Sequence, residues 1–229
     1  MKRQALLIAG LLALCLSPAT HAVAKDKARL TVVIDTAQVG TPPDAAATAK
    51  ELASVLSTQA ERTPSREELA VADAKQSLSS FLKGMDATAD KDGLKKARRL
   101  FKEATAALEE ALAPVKGRFE RPRPFRASAE VKTCQIKLPP SSSFPSTHAG
   151  TGTLFAALLA HIAPERKTEL EARGLDYGWS RVVCGFHYPS DIEAGRTGGR
   201  LAAAALLNDP AFVKRLDNVA PELRGALGL

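Results

Sequence analysis

Aromatic residues make up only 5% of this 229-residue chain, with one Trp, two Tyr and eight Phe. That scarcity, set against abundant alanine and leucine, argues against a sheet-based architecture and for helices. Three cysteines are too few for a disulfide scaffold, and 15 Gly with 14 Pro are too few for a collagen-like or low-complexity chain. No H-E-x-x-H, C-x-x-C or G-x-S-x-G run occurs, which removes the usual zinc-protease, thioredoxin-like and serine-hydrolase signatures. No internal repeat is visible. What remains is 45% hydrophobic and 25% charged, ordinary for a globular domain, with a formal charge of +7 that suits an anionic partner without selecting one.

The N-terminus reads as an export signal. Lys2 and Arg3 precede twelve uncharged residues, Ala5 to Leu16, and a small-residue exit follows at Ala22-Val23-Ala24. The apolar run falls short of the roughly 20 residues that a membrane span needs. We therefore expect residues 1–24 to be a signal peptide, cut after Ala22 or Ala24, and residues 25–229 to form one domain. An uncleaved anchor and a lipoprotein modified at Cys15 are the alternatives. Removal lowers the formal charge from +7 to +5 and leaves two cysteines, Cys134 and Cys184. An even count in an exported chain invites a disulfide between them, two buried free thiols being the alternative.

The rest reads as helices around one proline-rich stretch. Asp44–Gln59 carries Leu52, Val55 and Leu56 on one helical face. Thr63-Pro64-Ser65 followed by Glu68 predicts a capped start to a helix running to Leu82. Leu94, Ala97, Phe101, Ala104, Leu108 and Leu112 predict an amphipathic helix over 93–113, with Lys95, Lys96, Arg98, Arg99 and Lys102 on a solvated face. Between Pro114 and Pro145 the periodicity vanishes, predicting a long structured loop of the kind that usually carries function. Ala149–Ala163 and Ser190–Leu207 predict two buried central helices. A short polar helix is expected over 165–173, and a closing segment over 209–227. The fold class is all-α, a single-domain helical bundle.

Lys116, Arg121, Arg123, Ser146, Thr147, His148, Ser180, Arg181, His187 and Asp191 gather in the loop and around the buried helices. Clustered cations, hydroxyls and helix-start N–H groups make an anion site, in which arginine matches phosphate oxygens with a two-pronged fork. Two histidines there can serve as nucleophile and proton donor, and Asp191, four residues after His187, can hold its imidazole. After the leader only His148, His161 and His187 remain, so a zinc site lacks ligands. His161, inside an apolar helix, reads as a core or boundary residue.

The ordered set Lys116-x6-Arg123-Pro124, Pro145-Ser146-Thr147-His148 and Ser180-Arg181-x5-His187-x3-Asp191 resembles the three-part signature of the PAP2 superfamily. That family includes bacterial class A nonspecific acid phosphatases, lipid phosphate phosphatases and vanadium haloperoxidases. The motifs span about a third of the chain. The resemblance implies a PAP2/haloperoxidase-like helical fold and named roles. His187 would attack phosphorus to give a phosphohistidine, Asp191 would orient it, and His148 would protonate the leaving oxygen. Lys116, Arg123 and Arg181, with Ser146 and backbone amides near Thr147, would hold the phosphate oxygens. One departure is Thr147, where the family commonly has glycine, and it puts pocket shape and substrate range in doubt.

Within the superfamily, the absence of any spanning run after the leader favours a soluble exported enzyme over the lipid-phosphatase branch. The expectation is a periplasmic or secreted acid phosphatase for small phosphomonoesters that needs no cofactor or metal. Inorganic phosphate and vanadate should inhibit it; no nucleic-acid partner is expected, and a homo-oligomer is compatible with the reading. Phosphotransfer to an alcohol differs only in the acceptor. The competing expectations are an exported phosphate- or polyanion-binding protein without turnover and a vanadate-dependent haloperoxidase-like enzyme.

Overall fold

A computed structural model describes residues 29–85, 87, 93–134 and 138–229. The leader over 1–24 lies outside the described residues. Those described are all-α, with ten α-helices and two short 3-10 turns. After a 3-10 turn at Thr36–Val39 come α1 (Ala45–Ala60), α2 (Pro64–Asp73), α3 (Leu78–Lys83), α4 (Lys95–Arg118) and α5 (Pro124–Ala127). Then follow α6 (Thr147–Ile162), α7 (Lys167–Val183), α8 (Pro189–Leu207), α9 (Pro210–Asp217) and α10 (Ala220–Ala226).

The helix starts follow local chemistry. Asp44 caps α1 by accepting from the Ala47 N–H at 2.8 Å, and Thr63 and Ser77 do the same for α2 and α3. The expected Ser65 cap is thus displaced by Thr63, with Pro64 in the first helical position. The single helix expected over 64–82 is two. Carbonyls near the break are taken by side chains: Ser80 donates to the Ala72 carbonyl at 2.9 Å and the Tyr177 hydroxyl to that of Lys75 at 2.7 Å. Ser77 then restarts the chain.

α4 is longer than its expected end. It passes through Pro114 to Arg118, because Leu108, Leu112 and Val115 continue the buried stripe and the missing N–H falls near its last turn. Lys116 is therefore helical and not in a loop. The short polar helix expected over 165–173 is likewise the start of the 17-residue α7. Its buried face holds Arg173, Ser180 and Arg181 among two glycines, so a hydropathy pattern hides it. The closing segment is two helices, α9 and α10. His161 is a boundary residue, 3.5 Å from Asp217 with its side chain 38% exposed.

α6 is the centre of the bundle. Leu154, Phe155, Leu158 and Leu159 are fully buried, and α7 and α8 pack along it, so three central helices replace the two expected. Glycines set the spacing. A Cβ on Gly150 would lie 2.8 Å from the Gly195 carbonyl oxygen, and one on Gly174 2.8 Å from that of Gly152. One on Gly195 would overlap the Ser146 carbonyl. The main core joins α3, α4, α6, α9 and α10 around Phe81, Phe101, Leu108 and Phe155. A smaller one of Val55, Val182, Tyr188 and Ile192 seats α1 on α7 and α8. Among the described residues no helix is long and apolar enough to cross a membrane.

Candidate active site

Four chain segments end at one place. The first is the start of α6. Ser146 is its N-cap, accepting from the Ala149 N–H at 3.3 Å, while its own N–H donates to the Asp191 carbonyl at 2.9 Å. That bond ties the start of α6 to the start of α8. Thr147 and His148 occupy the first helical turn, whose N–H groups lack intrahelical acceptors and face the positive end of the dipole.

The second segment is the turn from α7 to α8. Gly185 takes φ +68°, a left-handed conformation, and a Cβ there would overlap Val131. The turn delivers His187 beside Arg181, with the Phe186 N–H donating to the Arg181 carbonyl at 2.9 Å. Cys134 and Cys184 are joined as a disulfide with their Cα atoms 4.9 Å apart, pinning the 128–134 stretch to this turn.

Asp191, fully buried, is the third residue of α8 and accepts from the Tyr188 N–H at 2.9 Å. Its Oδ2 also accepts from Ser143 at 2.5 Å and lies 3.5 Å from His187 Nδ1. Its Oδ1 pairs with Arg121 at 2.6 Å. Arg121 in turn pairs with Glu51 at 2.7 Å, donates to Ser190 and Thr48, and lies 4.2 Å from the Tyr188 ring. Burial alone would raise the Asp191 carboxyl, but His187, then Arg121 and Ser143, outweigh it and hold it at about 2. The aspartate is thus a fixed negative charge.

The remaining segments are the end of α4 and the start of α5. Lys116 donates to the carbonyls of Ser142 and Pro145, at 3.0 and 2.7 Å. Arg123 donates to the carbonyls of Ser141 and Phe186 at 2.9 and 3.0 Å, and its Nη1 is 3.0 Å from His187 Nε2. A guanidinium only donates, so that Nε2 is an acceptor and His187 carries its proton on Nδ1, toward Asp191 and Ser143. Arg181 lies 4.4 Å from the Phe186 ring, and its buried Nη1 has no hydrogen-bond partner. Nor has His148 Nε2, whose ring stacks on Tyr177 with centroids 4.4 Å apart.

Lys116, Arg123, Arg181, His187 and His148 are all pushed toward their neutral forms. Burial, then Arg123, lowers Lys116 to about 8, against Asp191. Burial, then Arg181, lowers Arg123 to about 10. Burial brings Arg181 to about 10 and, against the pull of Asp191, His187 to about 3. His148 falls well below 6.5 through burial, Arg181, His187 and Arg173. Cations that repel one another in a dry place, with an arginine nitrogen left unpaired, form a site completed by an anion.

The structure thus brings together His187, Asp191, His148, Lys116, Arg123, Arg181 and Ser146, with Thr147 half-buried at the start of α6. Ser180 turns away, donating to Asp73 at 2.7 Å. Arg121 stood among the sequence's polar residues, yet its bond to Asp191 had no signal beyond an Arg-Pro-Arg-Pro run. Ser143, Glu51 and Tyr177 come from separate segments and carried none. Among the described residues no three His, Cys, Asp or Glu side chains group as a metal site.

Residues 104–214 match the PAP2 superfamily model. The chain is 42% identical over 117 residues to the non-specific acid phosphatase of Salmonella typhimurium, covering 49% of this chain and 46% of that one. It is 31% identical over 166 residues to an acid phosphatase of Zymomonas mobilis, covering 69% and 62%. A lipid A 1-phosphatase of Rhizobium etli matches at 40% over 57 residues, a quarter of each chain. The chain spans about half the length of the Salmonella relative. In fold it is similar to a transmembrane PAP2-type phosphatidylglycerolphosphate phosphatase from Bacillus subtilis, at TM-score 0.51 and 19% identity over 74% of this chain and 87% of that one. Residues 104–214 thus carry a PAP2 superfamily domain, in an all-α fold where the ordered motifs meet at one site.

Proposed function

We propose that the protein is an exported acid phosphatase that hydrolyses small phosphomonoesters through a phosphohistidine on His187, without a metal ion. The observation that carries this reading is the anion-shaped deficit: Arg123, the unpaired Arg181 Nη1 and the first turn of α6 surround two histidines whose Nε2 atoms accept or stand open. Relatives named as acid phosphatases support the same activity. Export rests on the leader pattern and on the disulfide, which persists in oxidising compartments.

The phosphate dianion binds with its oxygens on Arg123, Arg181, Lys116 and the α6 amides, and relieves the repulsion among the cations. Its arrival returns proton affinity to His148, which then carries the proton that the leaving group needs. The His187 Nε2 lone pair attacks phosphorus as the ester P–O bond breaks, and His148 Nε2 protonates the departing oxygen. Positive charge that develops on His187 is held by Asp191 through Nδ1. Water then attacks the phosphohistidine, giving its proton to His148, and the N–P bond breaks to release phosphate. Because phosphoryl transfer is mostly positioning and electrostatics, the buried cations supply the charge that a metal provides elsewhere.

The test is hydrolysis of p-nitrophenyl phosphate in EDTA from acidic to neutral pH, by wild type and His187→Ala, with acid-stable and base-stable label followed from a radiolabelled substrate. Turnover with a base-stable, acid-labile phosphoenzyme that vanishes in the variant is expected, as is inhibition by vanadate. Loss of wild-type activity in EDTA that zinc restores would overturn the metal-free reading, and equal activity in the variant would remove His187 as nucleophile. Phosphate binding without turnover would leave a binding protein.

A further inference from the structure

The His148 imidazole and the Tyr177 phenol ring lie 10° from parallel with centroids 4.4 Å apart. Tyr177 belongs to α7, and its side chain is fully buried. It is held on several sides. Its hydroxyl donates to the Lys75 carbonyl in the turn between α2 and α3, and burial lifts the phenol to about 12, so that it stays a donor. The Arg173 guanidinium lies 5.1 Å from its ring. Gly152, one turn beyond His148, makes room, since a Cβ there would come within 3.0 Å of the ring. His148 also has a hydrogen bond to the Tyr177 backbone, while its Nε2 stays open.

We propose that Tyr177 is a positioning residue for His148: its ring fixes the plane of the imidazole, so that Nε2 is presented to the leaving oxygen, and its π-face favours the protonated form. This rests on the reading of His148 as the proton donor. An imidazole free to turn about its side-chain bonds would carry Nε2 off the line of transfer, and an ångström of misplacement in such a site costs about 10²-fold. The electron-rich ring face also favours a cationic imidazole, against the repulsion that Arg181 and Arg173 exert on His148. Through the Lys75 bond the α2–α3 turn is part of the same support.

The prediction is read in the leaving-group dependence. A nitrophenolate departs without a proton, whereas a glycerol alkoxide needs one, so the ratio of kcat/KM on p-nitrophenyl phosphate to kcat/KM on glycerol 2-phosphate, which covers only the steps up to the shared phosphohistidine, reports proton donation. His148→Ala should raise this ratio by about 10²-fold or more. Tyr177→Leu should raise it about tenfold, and Tyr177→Phe, which keeps the ring and drops the hydroxyl, should return it to within about threefold of wild type. If His148→Ala raises the ratio and Tyr177→Leu lowers both rates equally, or neither, Tyr177 is only core and the proposal is overturned. If His148→Ala leaves the ratio unchanged, the donor assignment falls and the proposal with it. A second readout uses the unaltered protein, should Tyr177→Leu not fold. The His148 ring protons should resonate upfield of free imidazole from the Tyr177 ring current, and their appearance at ordinary positions would overturn the stack.

Discussion

Replacing Arg121 with methionine tests whether the charge on Asp191 is held by the fold as described. Arg121 donates four side-chain hydrogen bonds, to Ser190, Asp191, Thr48 and Glu51. Methionine fills much of the volume and offers no donor. Removing one partner of a buried ion pair costs about 3–5 kcal/mol. Two features place this case at the lower end. Asp191 keeps Ser143 and the Tyr188 N–H, and Glu51 keeps both donors of Ser190. About 3 kcal/mol is the expectation, which for a chain of this size lowers Tm by roughly 6–12 °C. The assay is urea unfolding followed by far-UV circular dichroism at pH 7, with the slope m checked for constancy. Adding Glu51→Gln to Arg121→Met should recover part of the loss, because the second carboxylate no longer needs a partner. A midpoint loss worth less than about 1 kcal/mol would refute the reasoning, since it would put Arg121 among ordinary surface ion pairs.

Three further outcomes are expected. Gly195→Ala should destabilise the protein and abolish turnover together, because its Cβ overlaps the Ser146 carbonyl at the start of α6; an active, stable variant would refute the backbone contact. Reduction of Cys134–Cys184, which closes a separation of 50 residues, should cost about 4 kcal/mol on the chain-entropy model, seen as a lower Tm in dithiothreitol. An unchanged Tm would show that the bond does not constrain the unfolded chain. His187 is held to about 3 in the native state, against about 6.5 unfolded. Across that window the unfolded chain binds more protons, so its contribution is complete above about 6.5 and is lost as pH falls toward about 3. Urea midpoints should drop with pH there, less steeply in His187→Ala; equal slopes would refute the burial argument.

Much of this was legible in the chain. α1, α4, α6 and α8 are where their apolar residues put them: α4 buries a stripe that repeats at three and four residues, and α6 is buried nearly all round. The motif residues were legible as a set, since phosphate chemistry restricts which side chains can serve. Tertiary polar bonds were not. The break between α2 and α3 depends on Tyr177 and Ser80 reaching carbonyls that a lone helix would have paired internally. α7 was half missed because Arg173 is buried against Asp73, at 2.5 Å, and that pairing joins residues 100 apart. The supports of the site, Glu51, Arg121, Ser143 and Tyr177, were hidden for the same reason: each acts on a partner from another segment.

The glycines between α6, α7 and α8 have a consequence for how such a protein diversifies. Where main chains touch, there is no rotamer to change and no side chain to trim, so the three helix ends that hold His148, Arg181 and Asp191 move as one body or not at all. A lineage that acquires new substrates cannot retune this part by small steps. It must alter what surrounds the opening: the side chain of Thr147, half-buried at the start of α6, and residues 139–142, which are held by hydrogen bonds from Lys116, Arg123 and Arg126. The reaction is inherited whole, and variation is confined to the approach.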